Sequence, residues 1–463
     1  MVSDGYDTIV RNGLVVGQAG ARVQDVAITD GRIAALLPPD AAAPAAEEID
    51  ASGLVVTPGG IDTHTHVRWP HDGIHTTDDF LSATRAAVLG GTTTIVDFVP
   101  PGDGDLLNRC RDRVDEAAAA AVVDFGFHPI LTSADEATLK AIGAVIADGF
   151  TSFKMYTTYE DRRVDDGDAW YLMKAIAADG GLPGFHAENH ELLKSVLEHE
   201  VQEGHLGVEH YPRSRPGLAE AESIQMIALY AKRLGTPAYI FHISGSEALD
   251  AVRAARAAGV QIFAETCTHY LTLDDSCFRR PDAWKYVISP PLRGASDRED
   301  LWAGVTQEAI VSVGSDHCAY LRDVKNVPSD DHRAIPAGAP GIEARTPLLF
   351  AGCVDRGLGY DAFAAVSGSR AAKVLGLQHK GVIAPGYDAD LVIWDPDAEW
   401  HADLAVKASS NTFSLYDRTT TRGRPKHVLL RGTAAVRDGE FVGRAGAGRF
   451  IARPPRGEVG SSR

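Results

Sequence analysis

Eight short runs of β-strand composition recur through residues 53–316, and helix-forming text separates most of them. They read GLVVTPGGID (53–62), TTTIVDFV (92–99), VVDFGFHPIL (122–131), FTSFKMY (150–156), GLPGFHAE (181–188), AYIFHIS (238–244), VQIFAETC (260–267) and AIVSVGSD (309–316). Segments such as LLNRCRDRVDEAAAAAV and EALDAVRAARAAGV lie between them. Strand and helix alternating in series predict an α/β fold whose parallel strands close into a (β/α)₈ barrel. An open, doubly wound sheet is the alternative, and it lacks the glycine-rich phosphate loop that would follow an early strand.

The two flanks read differently. YDTIVRNGLVV and QDVAITDGRIAAL place Asn12-Gly13 and Asp30-Gly31 between apolar runs, which is hairpin chemistry. The same texture returns in DADLVIWD (388–395) and in KHVLLRGTAAVRDGEFVG (426–443). Neither half can bury its apolar face alone, so residues 1–57 and 382–445 are expected to form one smaller β-sandwich domain beside a barrel of residues 58–381. Residues 446–463, rich in Gly, Arg and Pro, are expected to form a tail that is unpacked or reaches a neighbouring subunit.

A formal net charge of −18 argues against a nucleic-acid or anionic-membrane partner, because both require clustered positive charge. No run of about 18 apolar residues is present to span a bilayer, and MVSDGYDTIV lacks the pattern of a secretory signal. The five cysteines are scattered with no CxxC spacing, which fits a reduced, cytoplasmic protein.

Polar residues fall where a barrel would use them. His64 and His66 close the first run, Lys154 the fourth, His186 the fifth, His242 the sixth and Asp316 the eighth. The C-terminal strand ends of such a barrel converge on one face, so six candidate metal ligands from five strands meet there. Strand alternation also points His64 and His66 to the same side. Any other histidine among the 17 is by default a surface or hydrogen-bonded residue. Lys154 alone reads as a structural lysine paired with a carboxylate, although its neutral amine could take up carbon dioxide to give a carbamate. Cys318 beside His317 could suggest a thiol nucleophile, but adjacent strand residues face opposite ways, so it reads as packing, and SGSR (367–370) lacks the strand-to-helix elbow of a serine hydrolase.

The motifs PGGIDTHTH (58–66), SFKMYTTY (152–159), HAEN (186–189), FHIS (241–244), ETCTHYL (265–271), ISPPLR (288–293), SDHC (315–318) and APGYDADLVIWD (384–395) together resemble the amidohydrolase superfamily. Within it the chain is similar to the dihydropyrimidinase/hydantoinase family over nearly its full length. That resemblance implies hydrolysis of a cyclic amide and two divalent metal ions, with zinc expected. It also implies N6-carboxylysine at Lys154 bridging both metals, with His64, His66 and Asp316 on one and His186 and His242 on the other. Asp316 would act as general base and then acid, Tyr159 would donate to the oxyanion, and Ser289 would bind substrate through its backbone. The substrate would be a small cyclic ureide opened to an N-carbamoyl amino acid, and the assembly a homotetramer.

The text departs from the family in two places. HVRWP (66–70) is similar to dihydroorotase text in which the arginine binds a substrate carboxylate, so Arg68 is a candidate substrate-binding residue and a dihydroorotase or allantoinase relative is the alternative. Near IPAGAPGIE (335–343) the family often supplies an Asn, and this chain has only Ala337 and Pro340. Trp69 and Ile74 are expected to wall the substituent pocket. A third reading, a scaffold that has lost catalysis, is disfavoured because all six ligand positions are filled.

Overall fold

The computed structural model describes residues 5–71, 74–327, 330–402 and 409–457. Eight parallel strands form the barrel: β1 (Gly60–Thr65), β2 (Thr92–Val99), β3 (Asp124–Pro129), β4 (Ser152–Tyr156), β5 (Leu182–His186), β6 (Ala238–Ile240), β7 (Ile262–Cys267) and β8 (Ile310–Gly314). β1 to β3 pair as one parallel set and β4 to β8 as another. Parallel bridges Ile130–Lys154 and Thr65–His317 join the two sets and close the cylinder. These strands are buried along almost their whole length rather than on alternate residues, and the polar side chains among them, such as Asp62, His64, Asp97, Lys154 and Glu265, are buried with the rest.

Acidic or amide caps start the helices that follow five of these strands. Asp79, Asp105, Asp135, Asp165 and Asn189 each accept from the backbone N–H three residues on, satisfying donors that a helix start leaves open. All five caps stand in loops that follow barrel strands, so they also fix the rim that holds the polar residues.

The flanking segments form a single nine-stranded sheet. Residues 55–58 run antiparallel to 391–394, which joins the N-terminal and C-terminal halves. The long strand Tyr6–Gly17 pairs along its first half with Ala45–Asp50 and along its second with Val55–Val56, with a bulge between Val10 and Gly13. This branching lets the sheet wrap its own apolar interior of Val10, Val26, Ile28, Ile49, Leu391 and Leu429.

The expectation of an unpacked tail does not hold for residues 446–457, which pack against the chain's own barrel. Phe450 lies among Phe125, Phe127 and Phe150, at 4.9 Å from the Phe150 ring centre. Buried Arg453 donates to Ser152 Oγ and to the Phe127 carbonyl, both at 2.6 Å. The backbone N–H groups of Arg453 and Arg456 donate to the Gly149 and Gly180 carbonyls, just before β4 and β5, so the segment seals the barrel's N-terminal floor. Phe450 and an arginine with buried carbonyl partners are the physical reason, and composition alone hides them. The rest of the expected tail, 458–463, lies outside the described residues.

Candidate metal centre

The six predicted side chains meet at the C-terminal mouth of the barrel. His64 and His66 leave the end of β1, and His186 is the last residue of β5. His242 and Asp316 lie two residues beyond β6 and β8, whereas Lys154 sits mid-strand in β4 and so enters the cavity from below. His64 Nε2 and His66 Nε2 approach the same Asp316 Oδ1, at 3.1 and 3.2 Å. The His186 ring lies 4.5 Å from that of His242, which lies 5.1 Å from that of His64. His242 and Asp316 hold φ values of 39° and 47°, and Tyr159 holds 76°. Residues with side chains rarely adopt this left-handed region, and such strain concentrates at functional sites.

Burial sets the protonation of the cluster. It holds His64 and His242 well below the usual imidazole range and His186 near about 4, so all three stay neutral at pH 7. It also lowers Lys154 to about 7, against the opposing pull of Asp316 and Glu265. The Lys154 amine rests over the Phe241 ring, 3.8 Å from its centre. Gly184, paired with Lys154 across β4 and β5, makes room for that ring, since a Cβ there would stand 2.6 Å from Phe241.

Carboxylates behind the histidines orient them. His64 Nδ1 lies 2.7 Å from Glu265 Oε1, and His186 Nε2 lies 2.6 Å from Glu188 Oε2. Glu188 stays ionised near about 2, despite burial, through the Arg215 guanidinium and His186. A carboxylate on one imidazole nitrogen fixes the tautomer and offers the other nitrogen to a ligand. The sequence reading missed Glu188, Arg215 and Glu265. Glu265 was accessible to it, because a glutamate inside a barrel strand needs a reason as much as a histidine does.

Lys154 Nζ, His66 Nδ1 and His242 Nδ1 are buried without hydrogen-bond partners among the described residues. His64, His66 and Asp316 bring ligand atoms within 4.8 Å of one another. Neutral imidazoles, a carboxylate and an unpaired amine fit a divalent-cation site, since native interiors rarely leave polar atoms unsatisfied.

A cavity of about 100 Å³ opens above the cluster, lined by Trp69, Tyr156, Tyr159, Ser289 and Ala337 among others. Burial pushes the Tyr159 phenol up, so it remains a donor. Ser289 lines the cavity, with its Oγ 2.7 Å from Tyr211 Oη. Ala337 lines the cavity and Pro340 does not. Cys318 also borders it, but burial raises its thiol to about 12, which removes it as a nucleophile.

Arg68 requires correction as a substrate-binding residue. Its side chain is 55% exposed, pairs with Glu116 at 3.3 Å and lies outside the cavity lining. Residue 68 has a φ of 46°, a turn that carries the side chain out to solvent. Arg162, unmarked by any motif, faces the cavity instead. Trp69 walls it as expected, and the Ile74 side chain lies outside the described residues.

Residues 55–433 match the model of the amidohydrolase family. A D-hydantoinase of Ralstonia pickettii is 36% identical over 96% of this chain and 99% of its own length. A solved D-hydantoinase structure superposes with a TM-score of 0.94 at 35% identity, covering 97% of this chain and 99% of that one. The dihydropyrimidinase of Brevibacillus agri does so at 0.93 and 32%, with the same coverage. The chain therefore belongs to the amidohydrolase family, within its hydantoinase and dihydropyrimidinase branch.

Proposed function

We propose that this protein hydrolyses the ring amide of a small cyclic ureide, a dihydropyrimidine or a 5-substituted hydantoin, to an N-carbamoyl amino acid. The observation that carries the reading is a donor, Tyr159, facing the same small cavity as His66, Lys154, His186, His242 and Asp316, with fully buried His64 packed against His66 and His242. His64, His66 and Asp316 would hold one divalent cation, His186 and His242 a second, and Lys154 as a carbamate would bridge them. Zinc suits imidazole and carboxylate donors. The near-neutral amine of Lys154 supports the modification, because only the unprotonated amine adds carbon dioxide. Bound there, the ions supply Lewis acidity and a water acidic enough to attack at neutral pH.

The chain's own groups do the rest. Tyr159 donates a hydrogen bond to the carbonyl oxygen as it gains charge, an interaction stronger in the transition state than in the ground state. Asp316 accepts the proton of the attacking water and delivers it to the departing ring nitrogen. The Ser289 backbone orients the ring, and buried Trp69 and Tyr156 exclude water from one side. The dihydroorotase-like alternative loses its proposed anchor, because Arg68 turns outward.

Purified protein with its metals should open hydantoin and dihydrouracil and lose that activity to a strong chelator, with elemental analysis giving two ions per active chain. Turnover of neither ring, or full activity with one ion or none, would sink the reading. A cytoplasmic homotetramer belongs to the same proposal. Light scattering at micromolar concentration should return four times the chain mass of 49.3 kDa, and a monomer mass would refute the assembly.

A further inference from the structure

We infer that Arg162 selects substrates whose ring substituent carries a carboxylate, a specificity that rests on the ring-opening reading above. Arg162 lines the cavity together with the metal-centre residues. A tight turn sets it there, with the N–H groups of Arg162 and Arg163 both donating to the Tyr159 carbonyl, at 3.2 and 2.9 Å. Its guanidinium carbon lies 5.5 Å from the Tyr159 ring centre and 6.0 Å from those of Trp69 and Tyr156. Three aromatic faces thus hold a cation whose side chain is only 14% exposed.

Its present partner is a weak competitor. Asp161 contacts Nε and Nη2 at 2.7 to 3.1 Å, but its own side chain is 63% exposed, where ion pairs contribute little. The hydrogen bonds to Asp161 run through Nε and Nη2. A substrate carboxylate brought into the cavity would meet the guanidinium where water is scarcer, and arginine can bind it through two hydrogen bonds. The Tyr156 ring borders both groups, its centre 6.0 Å from the guanidinium carbon and 5.1 Å from the Lys154 amine. No other guanidinium borders the cavity among the described residues.

The test compares hydantoin-5-acetate with its neutral isostere hydantoin-5-acetamide on wild type, Arg162→Gln, Arg162→Lys and Asp161→Asn. The readout is the acid-to-amide ratio of kcat/KM, so the isostere is an internal reference whatever a substitution does to overall turnover. Wild type should favour the acid by roughly tenfold or more, on the scale of a charge-assisted hydrogen bond. Arg162→Gln should collapse the ratio, mainly through KM for the acid, and Arg162→Lys should retain part of it. Asp161→Asn, at an exposed position, should raise the ratio, which keeps the idea testable if Arg162 variants fold poorly. Wild type that opens unsubstituted hydantoin but prefers the amide, or a ratio unmoved by all three substitutions, overturns the Arg162 assignment alone. Failure to open hydantoin at all overturns the ring-opening reading as well.

Discussion

Replacing Lys154 with alanine is expected to lower kcat/KM by roughly three orders of magnitude or more, the scale on which members of one catalytic unit fail together. The side chain is fully buried over Phe241 and has no hydrogen-bond partner among the described residues, so its removal breaks no hydrogen bond seen there. What it removes is the group proposed to bridge two cations. The variant should fold and hold about half the metal of wild type, as expected when one of two sites loses its shared ligand. Added acetate or propionate should restore part of the activity by entering the space the side chain leaves. An alanine variant with near wild-type turnover, or wild-type protein showing an unmodified amine by mass spectrometry while fully active and metal-loaded, would refute the bridging role.

Asp316→Asn should lower kcat by roughly 10²–10⁴-fold, the range supplied by a positioned acid–base group. The amide can still accept through its oxygen, but it can no longer carry a proton between water and leaving nitrogen. Its surroundings should persist. His317, the next residue, is pinned independently by Asp78 at 3.0 Å and by the Gly341 N–H at 3.2 Å. Thermal unfolding within a few degrees of wild type would separate lost chemistry from lost fold. Metal content must be measured alongside, because Asp316 is also a proposed ligand. Turnover within threefold of wild type at full metal occupancy would remove the residue from the proton path.

The barrel was legible because eight buried strands keep their own composition, and because His64, His66, His186, His242 and Asp316 are hard to explain in such strands without a shared site. Lys154 could be placed, but its chemistry could not. An isolated lysine reads as an ion-pair donor, and only burial over Phe241 marks it as nearly neutral. Arg68 and Arg162 show the limit more sharply. The two arginines have the same chemistry, and their roles depend on whether a turn sends the side chain to solvent or into the cavity. One-dimensional spacing does not encode that choice. Phe450 and Arg453 were illegible for a related reason. Each finds its partners about 300 residues away, so no local pattern announces them.

The pairing of residues 55–58 with 391–394 also sets a timetable. At a synthesis rate of about 5–20 residues per second, the first strand waits on the order of 20–60 s for its partner to leave the ribosome. During that interval Val55 and Val56, buried in the finished sheet, stand on an open edge that any similar strand could occupy. The barrel floor waits longer still, until Arg453 arrives. The nascent chain thus spends most of its synthesis with its first sheet unfinished, and its yield in the cell depends on how well that edge is shielded until the last strands arrive.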